Sequence, residues 1–210
     1  MNPLRLTRMT LSPAIWAAIS PGGIAPFVNF TADIDDLELQ ADYKTGSISA
    51  LDAGELNAIV RYFQPAIIAE VGTYIGNSTR AMASAMRGGQ IYTCDASNNI
   101  KLPAMYGATI EQFPAITSTL MFEALVTRKV TPDLFYIDGR LSAQDVRLMA
   151  ELNKHAVIVL DDFEGIEKGV ANASLLLSSA EFAGDMLVYP RLGGKTALML
   201  PVSMLQLTAQ

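Results

Sequence analysis

The chain has 210 residues, half of them hydrophobic and 17% charged, with 15 basic against 21 acidic residues for a net charge of −6. That length suits one domain with a self-sufficient core, and that composition excludes intrinsic disorder. One cysteine and one histidine exclude a disulfide framework, a cysteine zinc site, an iron–sulfur cluster and any multi-histidine metal site.

Residues 9–32 carry no charge and follow Arg5 and Arg8, which loosely imitates a secretion signal. Pro13, Pro21, Gly22, Gly23 and Pro26 interrupt the stretch, so it cannot span a membrane, and no clean small-residue cleavage site follows. The expectation is a short helical arm around Trp16 packed onto the domain, in a cytoplasmic protein. Residues 1–105 hold 7 basic and 9 acidic residues, and residues 106–210 hold 8 and 12. Neither half has a basic cluster, so neither nucleic acid nor a membrane surface is an expected partner.

From residue 51 the pattern alternates. Leu51 to Phe63 has helical spacing, with Asp52 and Glu55 early and Pro65 ending it. Ala66 to Val71 is a short apolar run of the kind buried on both faces of a sheet. Thr79 to Met86 predicts a helix capped by Asn77 or Ser78 and closed by Gly88-Gly89. Gln90 to Cys94 is a second buried strand, Thr109 to Ile116 contains a third, and Thr119 to Arg128 is helical. Asp133 to Asp138 reads as a strand, and Ser142 to Asn153 as a helix opened by the box-like Ser142-x-x-Asp145. Ala156 to Leu160 is another strand and Ile166 to Ser179 another helix; Met186 to Tyr189 and Thr196 to Leu200 form a hairpin around Gly193-Gly194. No repeat, low-complexity tract or linker divides the chain. The pattern predicts one α/β domain over residues 1–210, with 1–50 an arm or lid and 51–210 a Rossmann-like, doubly wound core. Its sheet is mainly parallel with an antiparallel strand from the hairpin.

Ligands of such sheets bind at the carboxyl ends of the strands, where strand order reverses. There the first strand runs into Glu70-Val-Gly72-Thr-Tyr-Ile-Gly76-Asn-Ser78. Tyr74 stands where a dinucleotide fingerprint needs its second glycine, which excludes a pyrophosphate and leaves a nucleoside without phosphates. Asp95 ends the second strand, 25 residues after Glu70, and a carboxylate there accepts both hydroxyls of a ribose. Farther along, Asp138 ends one strand and Asp161-Asp162 the next, 23 residues later. Neighbouring strands lie about 4.8 Å apart, so these carboxylates can converge on one hard divalent cation.

With Cys94-Asp95, Asp133 to Gly139, Val157 to Asp162 and the terminal hairpin, these segments resemble the class I S-adenosylmethionine-dependent methyltransferases. The closer likeness is to the small-molecule O-methyltransferases acting on catechols, caffeoyl-coenzyme A and sugars. The resemblance implies a seven-stranded sheet and S-adenosylmethionine as cofactor. It puts Glu70 near the methionine amino group, Gly72, Thr73, Tyr74, Gly76 and Ser78 along the cofactor, and Asp95 on its ribose. Gly46-Ser47-Ile48-Ser49 looks like the stretch that closes over the methionine end, which brings in Ser47 and Ser49; Thr117 and Ser118 fall near the adenine. Asp138, Asp161 and Asp162 match the metal ligands of the Mg²⁺-dependent members, with Asp162 where an asparagine usually stands; Asp138 is also expected to contact the cofactor, and the alternative is that it only orients the cofactor while Asp161-Asp162 caps the following helix. The implied reaction is methylation of a hydroxyl on a phenol, vicinal diol or sugar. Catechol-type members place a lysine three residues after the first metal aspartate; Leu141 stands there, and Arg140 cannot act as a base. Asp138 or Asp161 is then expected to take the proton.

His155, Cys94 and the ten methionines read as structural, and Trp16, Phe27, Phe30 and Tyr43 as either a substrate lid or core packing. The competing functions are a nicotinamide-dependent oxidoreductase, against which Tyr74 argues, and a catalytically silent adenosylmethionine-binding protein. A small-molecule hydroxyl compound is the expected partner, and a homodimer is left open.

Overall fold

Apolar runs become the centre of a seven-stranded sheet in the computed structural model, which describes residues 13–25, 27, 47–97, 102, 107–164, 167–191 and 193–204. The strands are β1 (Ile67–Val71), β2 (Gln90–Asp95), β3 (Thr109–Pro114), β4 (Leu134–Ile137), β5 (Val157–Leu160), β6 (Met186–Pro190) and β7 (Ala197–Pro201). Their order is β3-β2-β1-β4-β5-β7-β6. The first five are parallel, and β7 runs antiparallel to both β5 and β6, as a hairpin too short for a crossover requires.

Helix α1 covers residues 13–19. It is followed by α2 (Ala50–Phe63), α3 (Asn77–Ala85), α4 (Ser118–Thr127), α5 (Ala143–Asn153) and α6 (Lys168–Ser178). Side-chain alternation divides the core into two layers. Ile68, Ile91, Tyr136 and Val159 face α2 and α3. Ala69, Cys94, Ile137 and Leu160 face α4, α5 and α6. Central strands therefore read as unbroken apolar runs, because both their faces are covered.

Local chemistry sets the helix starts. Ser49 opens α2 and Ser142 opens α5, each in a reciprocal capping box with the aspartate three residues on. The cap expected for α3 is different. Gly76, in the left-handed region at φ 81°, is its N-cap and no side chain caps it; Asn77 and Ser78 are already helical and turn their side chains elsewhere.

The described part of the arm packs on the core. Ile15, Trp16 and Ile19 of α1 join the α2–α3 layer, as does Phe27, and the Trp16 indole N–H donates to the Tyr189 carbonyl at 3.3 Å. Phe30 and Tyr43 lie outside the described residues. No described helix is long and apolar enough to cross a membrane.

Candidate active site

Strand order reverses between β1 and β4, and the crevice outside their carboxyl ends is where the fold offers a site. Gly72 leaves β1 at φ 103°, and a Cβ there would lie 3.1 Å from the Cβ of Asp138, so glycine lets the ends of β1 and β4 meet closely. The turn then folds onto β2. The Gly72 and Thr73 amides donate to the Cys94 carbonyl at 2.8 and 3.1 Å, and the Tyr74 amide donates to Oδ2 of Asp95 at 2.9 Å. Tyr74 itself is in the left-handed region at φ 42°, with its side chain exposed. Oδ1 of Asp95 accepts from the Ser97 amide and hydroxyl, both at 3.0 Å. The carboxylate is thus fixed against the glycine turn.

Several residues expected along the cofactor are engaged inside the protein. Glu70 is fully buried and accepts from the hydroxyls of Ser78 and Thr79, both at 2.5 Å. Burial raises the Glu70 pKa above the ordinary glutamate value, against the pull of the Ser78, Thr79 and Thr93 hydroxyls. Thr73 pairs with Thr93 at 2.6 Å. Ser47 accepts from the Asn77 side-chain amide at 2.7 Å, which ties the stretch before α2 to the start of α3. Ser49 is spent on Asp52 as the α2 cap. Thr117 caps α4, with Ser118 its first residue. Gly72, Tyr74 and Asp95 therefore gather on the loop, with Ser47 beside the start of α3.

The ends of β4 and β5 form the second half. A small cleft of about 40 Å³ is lined by Ser47, Asp52, Asp138, Asp161, Asp162, Lys168 and Lys195. The expected metal triad is not assembled: no group of three acidic, histidine or cysteine side chains able to hold an ion occurs among the described residues. The Asp161 carboxylate is turned to the Tyr136 hydroxyl, which donates to it at 2.9 Å, and to the Asp162 amide at 2.9 Å. Asp138 and Asp162 instead share the Lys168 ammonium. Its Nζ bonds the Asp138 carboxylate, the Asp138 carbonyl at 2.7 Å and Oδ2 of Asp162 at 3.1 Å. Three aspartates without a basic partner would need a cation; Lys168 is the partner, so Asp138, Asp161 and Asp162 as they lie do not fit a divalent ion.

Charge is nonetheless crowded here. Burial, then repulsion from Asp161, pushes the Asp138 pKa up to about 7 in spite of Lys168. Burial likewise raises Asp161 to about 6, while the Asp162 amide and Tyr136 pull it back. Burial works to lower the Lys168 pKa, but Asp138 and Asp162 outweigh it and hold the ammonium protonated, above the usual lysine value. Lys168 is the residue that sequence reasoning missed. The available signal was a basic residue in the first turn of the helix following the Asp161-Asp162 strand end.

Other candidates separate from the site. Burial pushes the Cys94 thiol up to about 12, which excludes thiolate chemistry. His155 follows α5, beyond the amino end of β5. Leu141 packs against the α4–α6 layer, so no base occupies that position.

This sheet order, with a carboxylate closing a glycine turn beside the switch point, defines the Rossmann-like class I methyltransferase fold. No family model matches the chain, and none of the curated proteins matches it. Among solved structures, the chain is similar to an O-methyltransferase from Bacillus cereus in complex with S-adenosylhomocysteine. That match has TM-score 0.56 and 15% identity, covering 89% of this chain and 97% of that one. It is similar also to TomG of Streptomyces achromogenes, an O-methyltransferase involved in tomaymycin synthesis and bound to S-adenosylmethionine, at TM-score 0.54 and 14% identity over 92% and 98% of the two chains. A third is the S-adenosylhomocysteine-bound methyltransferase PaMTH1 of Podospora anserina, at TM-score 0.51 and 13% identity over 91% and 95%. At such identities the likeness establishes the fold.

Proposed function

We propose that the protein is an S-adenosylmethionine-dependent O-methyltransferase acting on a hydroxyl of a small molecule such as a phenol, vicinal diol or sugar. The observation that carries this reading is a juxtaposition across the β1/β4 switch. On one side, Asp95 is hydrogen-bonded to the turn that begins at Gly72; on the other, Asp138 opens onto the acid-lined cleft. The donor set suits the cofactor. Asp95 keeps acceptor capacity for ribose hydroxyls, the turn lacks the glycine a pyrophosphate needs, and Ser47, which lines the cleft, is the residue we assign to the methionine end.

The cofactor supplies an electrophilic methyl group on a sulfonium. The chain must hold an acceptor oxygen in line with that methyl and take its proton. Asp138 is placed for the proton: its carboxylate borders the cleft and its Cβ adjoins Gly72. With the cofactor bound, the methyl group would come from its sulfonium, and the Asp138 carboxylate would take the hydroxyl proton of the acceptor. The divalent ion implied by the resemblance does not fit these side chains.

Calorimetry should show S-adenosylhomocysteine binding and no competition from NAD, and methyl-labelled cofactor should label at least one member of a panel of phenols, diols and sugars. NAD binding more tightly would overturn the reading in favour of an oxidoreductase. Cofactor binding without transfer to any acceptor, water-soluble or apolar, would leave a binding protein instead.

A further inference from the structure

We propose that Lys168 is the resident cation of the acidic cleft, holding Asp138 and Asp162 in place and closing the position to divalent ions. This rests on the methyltransferase reading for its catalytic meaning, but its geometry stands alone. An ammonium has three N–H donors, and Lys168 directs them at three oxygens on two strand ends: the carboxylate and carbonyl of Asp138 and the carboxylate of Asp162. The side chain is 28% exposed, so it is not a free surface lysine that happens to lie nearby.

The backbone is built for this contact. Gly169 follows Lys168, and a Cβ on it would stand 2.1 Å from the Asp161 carbonyl oxygen and 2.9 Å from the Asp162 backbone. The start of α6 is therefore pressed against the end of β5 where no side chain fits. Asp162 itself is in the left-handed region at φ 49°, which a non-glycine residue adopts at some cost. A glycine in the first turn of α6 and a left-handed aspartate just beyond β5 fix the lysine that precedes the glycine.

A Mg²⁺ ion needs oxygens at about 2.0–2.1 Å in near-octahedral array. The oxygens of Asp138 and Asp162 stand around a nitrogen at hydrogen-bonding distances instead, and an ion entering among them would face the displaced ammonium at close range. Ammonium and ion exclude each other. With every donor spent, Lys168 is a positioning residue acting through Asp138, and the acceptor oxygen meets a carboxylate rather than a metal.

Titration of the full-length protein with Mn²⁺, read by calorimetry and by the electron paramagnetic resonance of the free ion, tests this directly. The native protein should bind no Mn²⁺ below about millimolar concentration, the range of weak oxygen sites. Lys168→Met should gain Mn²⁺ binding by at least about tenfold through release of Asp138 and Asp162, and Asp162→Ala in that background should abolish the gain. Sub-millimolar Mn²⁺ binding by the native protein would overturn the proposal, and this measurement needs no variant. A Lys168→Met protein that still binds S-adenosylhomocysteine, and so is folded, but gains no Mn²⁺ affinity would also overturn it. Loss of S-adenosylhomocysteine binding in the native protein would instead reject the methyltransferase reading and leave the Mn²⁺ result standing.

Discussion

At the scale of single residues, the Asp95 carboxylate divides its oxygens between two tasks. Oδ2 anchors the Tyr74 amide and Oδ1 the Ser97 amide and hydroxyl, yet a carboxylate has about four acceptor positions, which leaves capacity for a ribose. Asp95→Ala should weaken S-adenosylhomocysteine binding by about 1–3 kcal/mol through unpaired ribose hydroxyls, measured by calorimetry. Asp95→Asn, which keeps one acceptor oxygen, should lose less. Equal affinity in the alanine variant would remove Asp95 from the cofactor site. Glu70 contrasts with it: also at a strand end, it is fully buried with both oxygens held by Ser78 and Thr79. Two carboxylates near the carboxyl ends of neighbouring strands, Glu70 in register with Thr93 and Asp95 two residues beyond it, thus do two things, and burial decides which.

At the scale of elements, approach distances and caps decide where side chains arrive. Gly169 permits α6 to meet β5, so Gly169→Ala should cost about 1–3 kcal/mol of stability by overpacking against backbone. Gly22→Ala, where a Cβ meets nothing within 4 Å, should change stability by less than about 0.5 kcal/mol. Urea unfolding of the two variants distinguishes them, and equal small effects would mean that α6 shifts freely. Ser142→Ala removes the cap of α5, where the Asp145 amide donates to Oγ at 3.1 Å, and should cost about 1 kcal/mol, read in the same way. That cap was legible because Ser-x-x-Asp before an apolar run is a purely local signal, and the central strands were legible because β4 and β5 are buried at every position. The cap of α3 was not: it belongs to a left-handed glycine, while Ser78 reaches back to Glu70 across the sheet layer. The sequence marked Lys168 as a basic residue early in a helix but not the contact it makes, for the same reason. Its partner Asp138 lies 30 residues earlier, and no periodicity records a contact made by a strand and the second helix after it.

At the scale of the whole molecule, the carboxyl end of the sheet gathers acids that folding buries, and this sets how stability responds to pH. Asp138 and Asp161 have ordinary values of 3.8 in the unfolded chain but about 7 and about 6 in the folded protein, chiefly through burial. Burial shifts Glu70 the same way. Between the unfolded and folded values the native state keeps protons that the unfolded chain has released. Raising the pH through that interval therefore favours unfolding. The native protein should lose several kcal/mol of stability progressively between about pH 4 and about pH 7, each pKa unit being about 1.4 kcal/mol. Lys168 works in the same sense but at alkaline pH: its raised folded value stabilises the protein below the unfolded lysine value, and that contribution is lost as pH rises through the folded one. Urea unfolding at constant ionic strength across the acid-to-neutral interval measures the slope. Asp138→Asn should flatten it, because the amide does not titrate while Asp161 retains its smaller share. Stability that rises with pH over this range, or an unchanged slope in Asp138→Asn, would mean that Asp138 is ionised throughout and fully compensated by Lys168.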